Sequence, residues 1–101
     1  VQPPSGAHLL LSNRSGVRLK AGDAEGALAD ANAAVECAPA SFTTAAVRQV
    51  EALLRLQQYR AARECLLAAA QRHPPFGDSP DCQRCSAEVA AALQRAGEAP
   101  S

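Results

Sequence analysis

Aromatic bulk is scarce in this chain: two Phe and one Tyr among 101 residues, with no Trp. A core built without rings must come from aliphatic side chains and alanine, so it is modest, and one domain is the limit at this length. An excess of charge is missing too, with ten basic residues against ten acidic. A balanced chain has no general attraction to nucleic acid or to an anionic membrane surface, and neither is an expected partner. No apolar run approaches the about 20 residues that a membrane span requires, and no secretory signal is visible. The four cysteines, Cys37, Cys65, Cys82 and Cys85, are too few and too scattered for a secreted disulfide framework. They read as reduced thiols, which points to the cytoplasm or the nucleus. The chain opens at Val1 rather than Met, and the expectation is a piece of a longer protein.

What the chain has in quantity is alanine, 24 residues of 101. Alanine favours helix intrinsically and lets helices approach closely. The helical pattern carries the same punctuation twice. A first helix over about Ala7–Ala21, with Leu9, Leu10, Val17 and Leu19 as apolar positions, stops at Gly22. Asp23 caps a second helix over Ala24–Cys37, which places Ala27, Leu28, Ala31, Ala34 and Val35 at spacings of three and four. Pro39 ends the unit. Ser41 or Thr43 then opens a third helix to about Leu56, with Val47, Val50, Leu53 and Leu54 as its apolar set. Gln57-Gln58 turns the chain into a fourth helix, Tyr59–Arg72, burying Ala62, Leu66 and Ala69. Ala27 to Ala62 and Pro39 to Pro74 both measure 35 residues, a period read as stacked helical hairpins. Ser79-Pro80 starts a fifth helix that reaches about Ala96, where Gly97 stops it; its narrow stripe is Cys82, Cys85, Val89 and Leu93. The organisation expected is all-α: a Pro-rich lead-in over 1–6, hairpins over about 8–41 and 43–76, a capping helix over 78–97, and a frayed tail over 98–101.

These residues carry a family. Ser12-Asn13-Arg14-Ser15, Leu19-Lys20-Ala21-Gly22-Asp23, Ala27-Leu28, Ala34 and Pro39 resemble one tetratricopeptide repeat. Arg48, Ala52, Leu56, Tyr59, Ala62, Ala69 and Pro74 resemble the next. The resemblance spans about His8 to Phe76, and the fifth helix is similar to the capping helix of such arrays. It implies a right-handed solenoid fragment of two repeats and a cap, used as a scaffold or adaptor for protein binding. The sequence departs from the family at Arg18, where the repeat has a bulky apolar residue, and at Ala24, where it prefers an aromatic. The first unit is therefore underpacked by the family's standard, and the loop 38–42 is about one residue longer than usual. Two repeats sit near the minimum for such a fold, so at least one more repeat is expected before Val1.

Ser-Asn-Arg-Ser is also similar to the second repeat of the chaperone-binding tetratricopeptide domains. The resemblance implies a groove that takes the acidic C-terminal tail of a heat-shock chaperone. Asn13 matches the family's carboxylate-binding Asn, and Arg48 matches its Arg. Thr44 stands where a Lys is expected, and the preceding repeat's Lys and Asn are absent, so three of the five clamp positions are not matched. An amide and a planar guanidinium are good carboxylate donors. The loss of the Lys removes about one charge-assisted hydrogen bond, about 1.5–3 kcal/mol.

The groove-side residues of the first helix in each hairpin are Leu9, Ser12, Asn13, Gly16 and Lys20, then Thr44, Val47, Arg48, Glu51 and Arg55, and all of these but Ser12 and Glu51 are the peptide-binding candidates. With Glu51 among them the groove is mildly basic, suited to an acidic or C-terminal peptide. Gly16 fits close approach of a ligand backbone and equally tight packing between helices. The competing reading is structural: the hairpins extend an array or self-associate, the groove holds no peptide, and uncovered apolar residues on the first helix are its mark. Cys82-Gln83-Arg84-Cys85 lacks a second ligand pair for zinc and a preceding strand for redox chemistry, and reads as packing. No catalytic set, metal site or cofactor is expected: His8 and His73 have no nucleophile or carboxylate partners in the pattern, and no glycine loop cradles phosphate.

Overall fold

A computed structural model of the chain describes residues 6–39 and 41–98. The lead-in up to Ser5, residue Ala40 of the interhairpin loop and the last three residues of the tail lie outside the described residues. Five α-helices follow in order: α1 (Ala7–Lys20), α2 (Ala24–Cys37), α3 (Thr44–Arg55), α4 (Tyr59–Arg72) and α5 (Pro80–Glu98). A short 3-10 turn, Pro74–Asp78, sits between α4 and α5. The described residues contain no strand.

The two hairpins keep the 35-residue phase of the sequence. Helix α4 begins and ends 35 residues after α2, and α3 ends 35 residues after α1. Their turns share one chemistry. After α1, Gly22 N–H donates to Leu19 O at 3.1 Å and Asp23 N–H to Arg18 O at 2.8 Å. After α3, Gln57 N–H donates to Leu54 O at 3.1 Å and Gln58 N–H to Leu53 O at 2.9 Å. Both are Schellman closures, which need a left-handed residue just past the helix. Gly22 takes that place at φ 87° and Gln57 at φ 62°. Only the first turn has a side-chain cap, Asp23 Oδ1 accepting from Gly26 N–H at 3.0 Å.

Two sequence expectations about helix ends change. Neither Ser41 nor Thr43 caps α3 by its side chain: Thr43 is the N-cap residue but makes no capping bond. Helix α5 does not stop at Ala96; it runs through Gly97, whose φ is not left-handed, to Glu98. Its start is as read, with Ser79 Oγ accepting from Cys82 N–H at 3.1 Å and Pro80 in the first helical position.

The core is uneven. The larger cluster joins α3, α4, the 3-10 turn and α5 through Val47, Val50, Leu53, Leu66, Phe76, Cys85 and Val89, among others. The smaller holds Leu19, Ala27 and Ala52, and Leu28 packs against both. Inside the first hairpin the fillers are small. Ser12 and Ser15 of α1 are buried, and Ser15 Oγ donates to Ala27 O at 2.7 Å, which satisfies a hydroxyl that burial would otherwise make costly. The four apolar positions named for α1 are not all covered. Leu19 is buried, but Leu9, Leu10 and Val17 are 49%, 74% and 66% exposed.

Candidate functional site

Helices α1 and α3 lie side by side, and their same-phase residues face one open cavity of about 390 Å³. Its lining is Gly16, Leu19 and Lys20 from α1, Arg48, Glu51, Leu54 and Arg55 from α3, and Glu88 from α5. Four of the sequence candidates, Gly16, Lys20, Arg48 and Arg55, are thus gathered in one place.

The four are not equivalent there. The Arg48 guanidinium lies against Gly16, so close that a Cβ on Gly16 would stand 3.1 Å from Cζ and 3.2 Å from Nη2. Gly16 is the seat of an arginine; the space a ligand backbone would need is taken. Arg48 Nη1 donates to Glu51 Oε1 at 3.1 Å, one helical turn along α3, while its Nε is buried without a hydrogen-bond partner among the described residues. Arg55 Nη1 donates to Leu19 O at 3.2 Å, a second donor to the carbonyl that Gly22 N–H also reaches, and places positive charge at the negative end of α1. Lys20 is exposed and makes no ion pair or hydrogen bond among the described residues. Three cations face two carboxylates, Glu51 and Glu88, so the groove stays mildly basic.

The other four candidates lie elsewhere. Val47 is 6% exposed and belongs to the larger core cluster, one step round the helix from the groove stripe; it has no surface to offer a peptide. Asn13 and Thr44 are exposed on α1 and α3 but do not line the cavity. Asn13 makes no side-chain hydrogen bond among the described residues, so its amide is not committed to a neighbouring helix. Leu9 is half-exposed near the N-terminal end of α1, also off the cavity.

Sequence reasoning missed one charged cluster. Asp30, 4% exposed on α2, accepts from Arg14 Nε at 2.8 Å and Nη2 at 2.7 Å, and Arg18 Nε stands 3.4 Å from Oδ2. Arg18 occupies the position where the family resemblance asks for a bulky apolar residue, and here an ion cluster joins α1 to α2, its acid buried and its two guanidiniums partly exposed. The hydrogen bonds from Arg14 hold the Asp30 carboxyl below the ordinary carboxylate range, against the opposing effect of burial. The available signal was Arg14 and Arg18, one turn apart on one helix, with an acid near the middle of the next.

Cys82 and Cys85 are buried in the larger cluster. Burial pushes the Cys85 thiol up, and Cys65 likewise, which keeps both in the unreactive protonated form near neutral pH. Among the described residues no group of three or more His, Cys, Asp or Glu is gathered as a metal ion would require. No helix among them is long and apolar enough to cross a membrane. A second hollow of about 300 Å³, between α4 and α5, is lined by Leu66, Leu67, Val89 and Leu93 with Arg63 and Ser86, and contains none of the sequence candidates. Comparison of the chain with family models, with curated proteins and with solved structures finds no match.

Proposed function

We propose that this chain is a tetratricopeptide-type interaction module that holds an acidic or C-terminal peptide segment in the groove between α1 and α3. The observation that supports this is the convergence of Lys20, Arg48 and Arg55 on one open cavity. Lys20 is the uncommitted charge, a mobile ammonium that can follow a ligand acid. Arg48 is the fixed one, its plane set by Gly16 and Glu51 so that little side-chain freedom is lost on binding. Asn13, one turn before Gly16 on α1, offers its free amide to a chain leaving the groove at that end. Such a module serves as part of an adaptor or co-chaperone in the cytoplasm or nucleus, and the acidic tail of a heat-shock chaperone is the leading ligand.

Isothermal titration with an acidic peptide ending in Glu-Glu-Val-Asp, and with its C-terminal amide, tests the reading. Micromolar binding that is lost on amidation and in Asn13→Ala is expected. A folded chain that binds neither peptide removes chaperone-tail capture; equal binding of both leaves an internal acidic segment as the ligand.

A further inference from the structure

We infer that the outward face of α1, formed by Leu10, Arg14 and Val17, is a docking surface for one further helical hairpin, packed there as the first hairpin packs on α3. The chain's own internal interface, carried one step back, supports this, whatever the groove binds. Thirty-five residues after Leu10, Arg14 and Val17 stand Ala45, Gln49 and Ala52 of α3. Ala45 is 1% exposed and Ala52 is 0% exposed. Ala52 packs with Leu19, Ala27 and Leu28 of the first hairpin, and Gln49 Nε2 donates to Asn32 Oδ1 of α2 at 2.8 Å. On α1 the same three positions are solvent-facing, with two large apolar side chains among them.

The phase between the hairpins is strict, since helix ends and turn closures repeat at 35 residues. The step that sets hairpin two on hairpin one therefore has a defined starting surface for its predecessor, and that surface is apolar where it should be. A shallow hollow between Ala7, Leu10, Leu11 and Arg14 continues it toward the N-terminal end of α1.

The same comparison gives the partner's chemistry. Leu10 and Val17 are larger than the alanines they correspond to, so the facing stripe of the incoming hairpin is smaller than Leu19–Ala27–Leu28: alanine or glycine at the contact. Opposite Arg14, where Asn32 meets Gln49, it carries an acceptor, an amide or an acid. Asp30 takes Nε and Nη2 of Arg14, and Nη1 has no partner among the described residues.

The test adds such a hairpin in cis. Residues 7–41 are repeated ahead of Ala7, which sets a second, alanine-rich α2 in phase with α1; a second form carries Leu28→Ala in the added copy. Methyl NMR with a soluble paramagnetic agent reads the exposure of Leu10 and Val17 of the original hairpin. Broadening at both is expected to fall at least threefold in one or both tandem forms relative to the 101-residue chain. Leu10→Asp with Val17→Asp in the original hairpin is expected to lower the tandem melting midpoint by roughly 4–8 °C. In the 101-residue chain the same pair is expected to be nearly silent. Equal methyl exposure in all three chains overturns the proposal, as does equal sensitivity to the aspartates. Concentration-dependent dimers of the 101-residue chain, abolished by the aspartates in sedimentation equilibrium, overturn it too, by assigning the face to a second copy.

Discussion

Gly16→Ala separates the packing role of the groove from its binding role. Glycine inside a helix costs about 1 kcal/mol relative to alanine, so the substitution by itself favours α1. Against that, the new methyl stands 3.1 Å from Arg48 Cζ, 3.2 Å from Nη2 and 3.3 Å from Nε. These atoms are the far end of a flexible side chain, 33% exposed, and a shift of a few tenths of an ångström relieves the contact. Folding stability measured by urea denaturation is therefore expected to be unchanged or higher by about 0.5–1 kcal/mol. Peptide affinity is expected to move the other way. Displacing the guanidinium disturbs its 3.1 Å bond to Glu51 and the fixed plane it offers a carboxylate. Loss of one charge-assisted hydrogen bond, about 1.5–3 kcal/mol, corresponds to roughly 10- to 150-fold in Kd. Two results refute the reasoning. A destabilisation above about 1 kcal/mol means that Arg48 is not free to yield. Unchanged affinity in Gly16→Ala, beside abolished affinity in Arg48→Ala, means that Gly16 does not position the arginine.

Gln57 holds a left-handed conformation that its counterpart Gly22 holds as glycine, and Gln57→Gly is expected to stabilise the chain by about 0.5–1 kcal/mol in urea denaturation. Val47→Ala is expected to cost about 2 kcal/mol of stability with no change in peptide Kd once folded, as a core side chain requires. Asp30 has a folded-state pKa below its unfolded value, so its contribution is present above the unfolded value of about 3.9 and is lost as pH falls through the folded one. Thermal melts from pH 6 downward are expected to show a decline below about pH 4 that Asp30→Asn makes shallower.

Most helix ends were legible because their signals are local. Gly22-Asp23, Pro39 and Ser79-Pro80 each fix a few dihedrals whatever surrounds them, and Gln57-Gln58, with no glycine, was placed by phase with Gly22-Asp23. What stayed hidden depends on partners far along the chain. Spacing named Leu9, Leu10, Val17 and Leu19 as the apolar positions of α1 without saying which are covered; Leu19 is, while Ser12 and Ser15 are the other buried residues of that helix and Ser15 bonds Ala27 O of α2. Val47 and Arg48 are one residue apart, yet one is core and the other groove; a helical stripe read from spacing cannot resolve that single step of rotation. Asp30 was not singled out because its partner Arg14 lies 16 positions away. Gly16 was read openly, and the neighbour that decides it, Arg48, comes from another helix.

The unequal division of the core has a consequence for the groove. One wall, α3, is built into the cluster that also holds α4, the 3-10 turn and α5, while the other wall, α1, rests on Leu19, a stripe of small residues and the Asp30 ion cluster. Local opening is least costly where little apolar surface is at stake, so α1 opens more readily than α3, and Leu28 is the joint through which either half feels the other. A peptide spanning Lys20 and Arg48 ties the softer wall to the firmer one. Its arrival should slow amide exchange in α1 more than in α3, so that recognition and the tightening of half the fold become a single event.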